Sequence, residues 1–137
     1  MFSIIIPTFN NLDYLKLCIK SIKKNSFKNH EIIVHVNEGS DGSLEYVKKN
    51  NIKYSYSKKN IGLCSAINKA STMATKKYIL YSHDDMYFCP EWDKILYDEI
   101  NKITHEKFYL CGTMIQVSGA HITLDCGNTI ESFNEKK

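Results

Sequence analysis

The chain alternates between short apolar runs and amphipathic stretches. Residues 2–6, "FSIII", are β-branched and aromatic and stop at Pro7, which reads as a strand. From Leu12 the apolar positions fall at Leu15, Ile19 and Ile22, the spacing of one helix face, with Asn10 or Asn11 available as N-cap. "EIIVHV", 31–36, is a second apolar strand, followed by the turn-like "NEGSDGS". Residues 43–49 read as a short helix, and "IKYSYS", 52–57, alternates like a strand. After Asn60, the positions Leu63, Ala66, Ile67, Ala70 and Met73 return to helical spacing. "KYILYS" is a fourth strand. Pro90 opens a helix carrying Trp92, Leu96, Ile100 and Ile103. "FYLCGTMIQV" and "HITLDC" read as two further strands.

Strands alternating with helices predict an α/β fold: a mainly parallel sheet with helices on both faces, joined by right-handed crossovers. Ligands of such sheets bind at the carboxyl ends of the strands. Those ends carry "PTFNN", "NEGSDGS", "SKKNIG" and "SHDD", so the polar and conformationally special residues gather on one edge.

Composition narrows the chemistry. A chain of 137 residues is expected to form one domain and to bury roughly 70% of its unfolded surface. All 18 basic residues are lysine, so no guanidinium fork is available for phosphate. Phosphate would have to be met by lysine, backbone amides, helix N-termini or a metal. The net charge of +3 is mild and the lysines are dispersed, which reads as solvated surface and not as a nucleic-acid stripe. No apolar run is long enough for a transmembrane helix, and "MFSIIIPTFNN" lacks a signal-peptide pattern, so a cytoplasmic location is expected. The five cysteines follow no zinc spacing and are expected as free thiols.

Asp84 and Asp85 raise the sharpest question, because adjacent carboxylates at the end of an apolar strand repel each other and lose hydration. Neighbouring side chains near a strand end point apart, so the two acids can serve different groups, such as a sugar hydroxyl and a divalent cation. The competing reading is a pair of surface or capping acids before Pro90. Glu38 follows the second strand and is placed to accept hydrogen bonds from a base or ribose, while Asp41 reads as a cap for the next helix. Lys58 and Lys59 precede a helix N-terminus, where an anion would be favoured. His83 is open between a ligand or acid–base group and a side chain on the far face of the sheet. His35 reads as a sheet histidine.

Taken together, the four strand ends resemble the nucleotide-sugar-binding part of a family 2 glycosyltransferase of the GT-A fold, a Rossmann-like sandwich. The resemblance covers about residues 2 to 115 and rests on Pro7-Thr8-Phe9-Asn10, Val36-Asn37-Glu38-Gly39-Ser40, Asn60-Ile61-Gly62, His83-Asp84-Asp85 and Pro90-Glu91-Trp92. It implies that Pro7, Thr8, Asn10, Glu38, Asn60, Gly62 and Asp84 bind the nucleotide-sugar. In those terms Thr8 and Glu38 meet the nucleobase or ribose, and Asp84 the ribose or sugar. Asp85 would hold Mn2+ or Mg2+ against the diphosphate. The implied activity is hexose transfer from a nucleoside diphosphate, UDP, with inversion, to a glycan, lipid or protein acceptor that the sequence does not name. A homodimer is left open. Three features depart from the family pattern. Asn37 and Glu38 stand where two aspartates are usual, Ile67 replaces an arginine, and only about fifty residues follow the metal motif. Among the acids downstream, Asp125 closes the last apolar run and is the favoured general base. Glu131 and Glu135 are the alternatives, and a turn role before Gly127 competes with it. Two rival functions are a binding module without chemistry and a nucleotidyltransferase, although the latter's glycine- and basic-rich first loop is missing from "PTFNNLDY".

Overall fold

The computed structural model describes residues 1–127 and 129–137, which divide into two compact units, Met1–Lys94 and Ile95–Lys137. The first unit holds β1 (Phe2–Phe9), α1 (Leu12–Asn25), β2 (Glu31–Asn37), α2 (Ser43–Lys49), β3 (Lys53–Ser57), α3 (Leu63–Ser71) and β4 (Tyr78–Tyr81). The four strands form one parallel sheet in the order β3-β2-β1-β4. Right-handed crossovers in that order place α1 and α2 on one face and α3 on the other, because β3 to β4 crosses the sheet in the opposite direction.

Packing follows from strand alternation. Ile5 and Ile33 are fully buried under α3, against Ala70, with Ile67, Met73 and Ala74 around them. Ile4 and Ile6 are also fully buried and point to the opposite face, where α1 buries Leu15, Cys18, Ile19 and Ile22.

Two polar clusters close the amino ends of the strands. The Glu31 carboxylate accepts hydrogen bonds from Ser3 Oγ, Lys53 Nζ and both the backbone N–H and the hydroxyl of Thr75. Burial alone would raise its pKa, but Lys53, Ser3 and Thr75 outweigh that effect and bring it down to about 2. In the second cluster Asp93 is completely buried, yet its carboxylate is satisfied by the N–H groups of Phe27 and Lys28, both at 2.8 Å, and by His30 Nε2 at 2.9 Å. The other ring nitrogen of His30, Nδ1, accepts from the backbone N–H of Phe2 at 3.1 Å, so the proton of the neutral ring sits on Nε2. Trp92 fills the space beside this pair, with its ring 5.0 Å from His30 and 5.8 Å from Phe2, and its indole N–H donates to Ser26 Oγ.

The helix expected from Pro90 begins two residues later, as α4 (Trp92–Ile100), because Glu91 takes a positive φ of 59° that no helix continues. The two strands expected over 108–117 and 121–126 shrink to β5 (Ile115–Gln116) and β6 (Ile122–Thr123), a separate two-stranded parallel sheet. Their apolar residues are largely exposed, with Tyr109 at 89% and Val117 at 56%. An apolar run becomes a strand only where a partner ladder and a packed face exist, and the described backbone supplies a partner for two residues of each run.

Candidate functional site

The carboxyl ends of β1, β2, β3 and β4 are bound to one another by side chains. Thr8, only 2% exposed, donates its hydroxyl to Asp84 Oδ2 at 2.6 Å. Asn11 donates Nδ2 to Asp84 Oδ1 at 3.1 Å. Both oxygens of Asp84 are therefore held, and the residue is half-buried. Burial raises the Asp84 pKa, the bonds from Thr8 and Asn11 pull it back, and the neighbouring Asp85 adds to the rise, leaving it above the usual carboxylate range. Asp85 is exposed, and among the described residues nothing donates to its carboxylate. The two acids thus have different surroundings, one fixed by protein donors and the other open.

His83 turns away from the acids. Its Nε2 lies 2.9 Å from the Tyr81 hydroxyl, and the two rings stack at a tilt, 5.1 Å apart. The carbonyl of His83 accepts from the buried Cys18 thiol at 3.6 Å. Burial pushes that thiol up to about 12, so Cys18 braces the loop and is not a nucleophile.

The β2 end is fixed from within. Asn37 is 3% exposed, and its Oδ1 accepts from the Ile61 N–H at 3.0 Å and the Ser57 hydroxyl at 3.1 Å, tying the β3–α3 loop to the sheet. Its neighbour Glu38 is exposed with φ +62°, and its N–H bonds to the Ser57 carbonyl. Gly39 cannot be replaced, because a Cβ there would sit 2.7 Å from Val36 Cγ1 at a φ of +73°. Asn60 Oδ1 accepts from the Gly62 N–H at 2.9 Å in a tight turn before α3. A Cβ at Gly62 would meet nothing within 4 Å, so the surface above this turn is open. Lys58 and Lys59 are exposed, and His35 is buried between the hydroxyls of Ser55 and Ser57, as expected of a sheet histidine.

Pro7 and Thr8 lie near the carboxyl end of β1, and Asn10, Glu38, Asn60, Gly62, Asp84 and Asp85 lie in the loops that follow the strands of the first unit. Asp125 belongs to the second unit, where its Oδ1 accepts from the Gly127 N–H at 2.9 Å. Two residues that the sequence did not single out for the site are Asn11, which grips Asp84, and Asp41, whose carboxylate accepts from the Leu12 N–H at 2.7 Å as well as from Ser43. An Asx residue close behind a strand-end Gly-Ser pair was the available signal for Asp41, but its reach to a second helix is a property of the folded loops.

The donor set fits a hard divalent cation. Mg2+ and Mn2+ are commonly held by one or two carboxylates, with the remaining positions left to water and phosphate oxygens. Asp85 is the carboxylate left open for such an ion, while both oxygens of Asp84 are already held by Thr8 and Asn11. Among the described residues no group of three or more His, Cys, Asp or Glu is placed to hold a metal ion.

A mainly parallel central sheet flanked by helices matches the GT-A glycosyltransferase fold. The sequence matches Glycosyl transferase family 2 over residues 3–125, and the chain belongs to that family. It is similar to an uncharacterized glycosyltransferase of Rickettsia conorii, 37% identical over 116 residues, which cover 80% of this chain and 19% of the relative. It is also similar to a cholesterol galactosyltransferase of Borreliella burgdorferi, 38% identical over 88 residues, 61% of this chain and 24% of that protein. Among solved structures it resembles S. aureus TarS 1-349 in complex with UDP, with a TM-score of 0.66 and 28% identity over 74% of this chain and 32% of that one. The chain therefore spans about a fifth to a third of these three proteins. Among the described residues no helix is long and apolar enough to cross a membrane.

Proposed function

We propose that this chain binds a UDP-sugar together with Mn2+ or Mg2+ and transfers the hexose, with inversion, to an acceptor hydroxyl. The observation that carries this reading is the division of labour at β4: Asp84 immobilised by Thr8 and Asn11, beside an open Asp85. The family match and the likeness to S. aureus TarS in complex with UDP support the choice of donor. When bound, the cation would supply positive charge to the departing diphosphate, in a chain that has lysines but no guanidinium fork for it. Asp85 would hold it and Asp84 would orient the ribose or sugar. The open turn of Asn60 to Gly62 leads into α3, whose N-terminal amides and neighbouring Lys58 and Lys59 face anions favourably. The direct test is calorimetric titration of UDP with and without Mn2+, where binding that ignores the metal would reject the reading.

Glu38 is assigned to the base or ribose. Its exposed side chain and positive φ hold an acceptor at the rim of the β2 end. Glu38→Ala is expected to weaken UDP binding by about 1–3 kcal/mol, the cost of leaving a donor unpaired. Unchanged affinity would reduce Glu38 to a turn residue.

Asp125 is assigned as the base that takes the acceptor proton. Asp125→Asn is expected to keep UDP affinity and to abolish UDP release from the donor. Full turnover in that variant would reject the role. The second reading, a donor-binding module without chemistry, is favoured by the engagement of Asp125 in its own turn. Tight donor binding with no turnover in the wild type would select it.

A further inference from the structure

Asn37 ends β2 on the face of the sheet that α3 covers, two residues beyond His35 and four beyond Ile33. Its carboxamide cannot be turned over. The backbone N–H of Ile61, 3.0 Å away, can only donate, so the amide oxygen faces it, and the Ser57 hydroxyl donates to the same oxygen at 3.1 Å. The nitrogen, Nδ2, then carries two N–H groups that have no acceptor among the described residues. For a residue only 3% exposed this is unusual, because an unpaired donor away from water is costly. Nδ2 is not sealed in, however, and keeps contact with solvent. Its neighbours define where it opens. Ser57 lies on β3, so Oδ1 leans toward β3, and Nδ2, on the other side of the Cβ–Cγ axis, leans toward β1. His35 fills the space behind, held by Ser55 and Ser57, and Ile61 closes the side of the β3–α3 loop. The side left open is the carboxyl end of β1, where the residue in register with Asn37, Phe9, is 48% exposed.

We propose that Asn37 is a specificity-determining residue of the nucleotide site, its Nδ2 reserved for the O4 carbonyl of a uracil base, an assignment that deepens the donor-site reading above and rests on it. In the strand order β3-β2-β1-β4, Asp84 and Asp85 follow a strand two places from that of Asn37, about 10 Å at the usual spacing. A nucleotide whose ribose and diphosphate lie at the β4 end therefore extends its base toward β2. Asn37 lies deeper than the exposed Glu38, so it meets the edge of the base farthest from the ribose. At that edge uracil has a carbonyl and cytosine an amino group. The amide N–H pairs with the first. Against the second it leaves two donors facing each other, which rejects cytosine without any steric block.

The test is titration of UDP and of CDP, each with Mn2+, into the full chain as wild type and as Asn37→Asp, with a melting curve for each protein to verify the fold. Asn37→Asp keeps the shape of the side chain and the oxygen that Ile61 and Ser57 bind, and it turns the free donor into an acceptor. The wild type is expected to prefer UDP by about tenfold or more, the difference between one hydrogen bond made and one donor left unpaired. In Asn37→Asp that preference should fall by on the order of 100-fold, since uracil loses its donor and the cytosine amino group gains an acceptor. If the added charge unfolds the chain, Asn37→Ala replaces it, and the preference for UDP should then fall about tenfold. A residue that only ties the β3–α3 loop would weaken both nucleotides alike. An unchanged ratio of the two affinities therefore overturns the proposal, as does a wild type that does not distinguish UDP from CDP. A wild type that binds neither nucleotide rejects the donor-site reading itself, and the assignment of Asn37 falls with it.

Discussion

Asp85→Asn is expected to lower the affinity for UDP in the presence of Mn2+ by on the order of 100-fold, about 2.7 kcal/mol, and to leave the metal-free affinity unchanged. The substitution keeps the shape of the side chain and removes its charge. Asp85 is exposed and receives no hydrogen bond among the described residues, so the fold loses nothing with the charge. A hard cation loses a full negative ligand and keeps only a weak neutral oxygen. Titration of UDP into both proteins, with Mn2+ and with chelator, separates the two effects. Equal affinities in Mn2+ would remove Asp85 from the metal site. A matching fall in melting temperature would mean that the residue is structural.

The largest effect on stability is expected at Asp93. Asp93→Ala leaves the N–H groups of Phe27 and Lys28 and the Nε2–H of His30 without their acceptor, in a place sealed from water. Breaking a buried charge-assisted cluster of this kind costs about 3–5 kcal/mol, and the melting temperature should fall by on the order of 10 °C. A loss below about 1 kcal/mol, read by urea denaturation, would show that the cluster relaxes or that water enters. The same cluster gives the protein an acid-sensitive stability. Burial lowers the His30 pKa, the hydrogen bond and charge of Asp93 raise it, and the net result lies below the ordinary 6.5. The unfolded chain therefore binds the proton more readily than the folded one. The stabilisation is complete above about pH 6.5 and is lost as the pH falls toward the folded-state pKa. Protonation of Nδ1 would also displace the Phe2 N–H. His35, lowered by burial and by Lys69, acts in the same direction. Melting curves from pH 8 down to pH 5 should show a steady fall, and a flat profile would contradict the buried, neutral state of both rings.

Much of the first unit was legible because its signals agree. The apolar runs of β1, β2 and β4 and the helical spacing of α1 and α3 are separated by loops with turn residues at their ends. The polar loops at the carboxyl ends of the strands were legible for the same reason, since "PTFNN", "NEGSDGS", "SKKNIG" and "SHDD" stand directly after the apolar runs. What stayed hidden were contacts that depend on how two loops meet. Nothing in the local sequence says that Asn37 turns inward to Ile61, that Asp41 reaches α1, or that Thr8 gives its hydroxyl to Asp84. The burial of Asp93 follows from meeting two backbone amides and a histidine from a distant loop, which its place in the helical pattern does not show. Beyond residue 100 the apolar runs promised long strands, but a run that finds no ladder stays extended coil.

The outermost strands of the sheet bear on how the protein behaves at high concentration. β3 has five residues and β4 has four, so each offers at most about 17 Å of open ladder. Ile79 and Tyr81 on β4 are 55% and 40% exposed, the kind of surface on which a second copy could add a strand and begin an aggregate. Lysines stand at the ends of both edges: Lys76 and Lys77 before β4, and Lys53, Lys58 and Lys59 in and after β3. Aligning a second copy there would bring like charges together and desolvate them. In a chain with no arginine, part of the lysine excess thus acts as a barrier to sheet growth, one that should weaken as salt screens it.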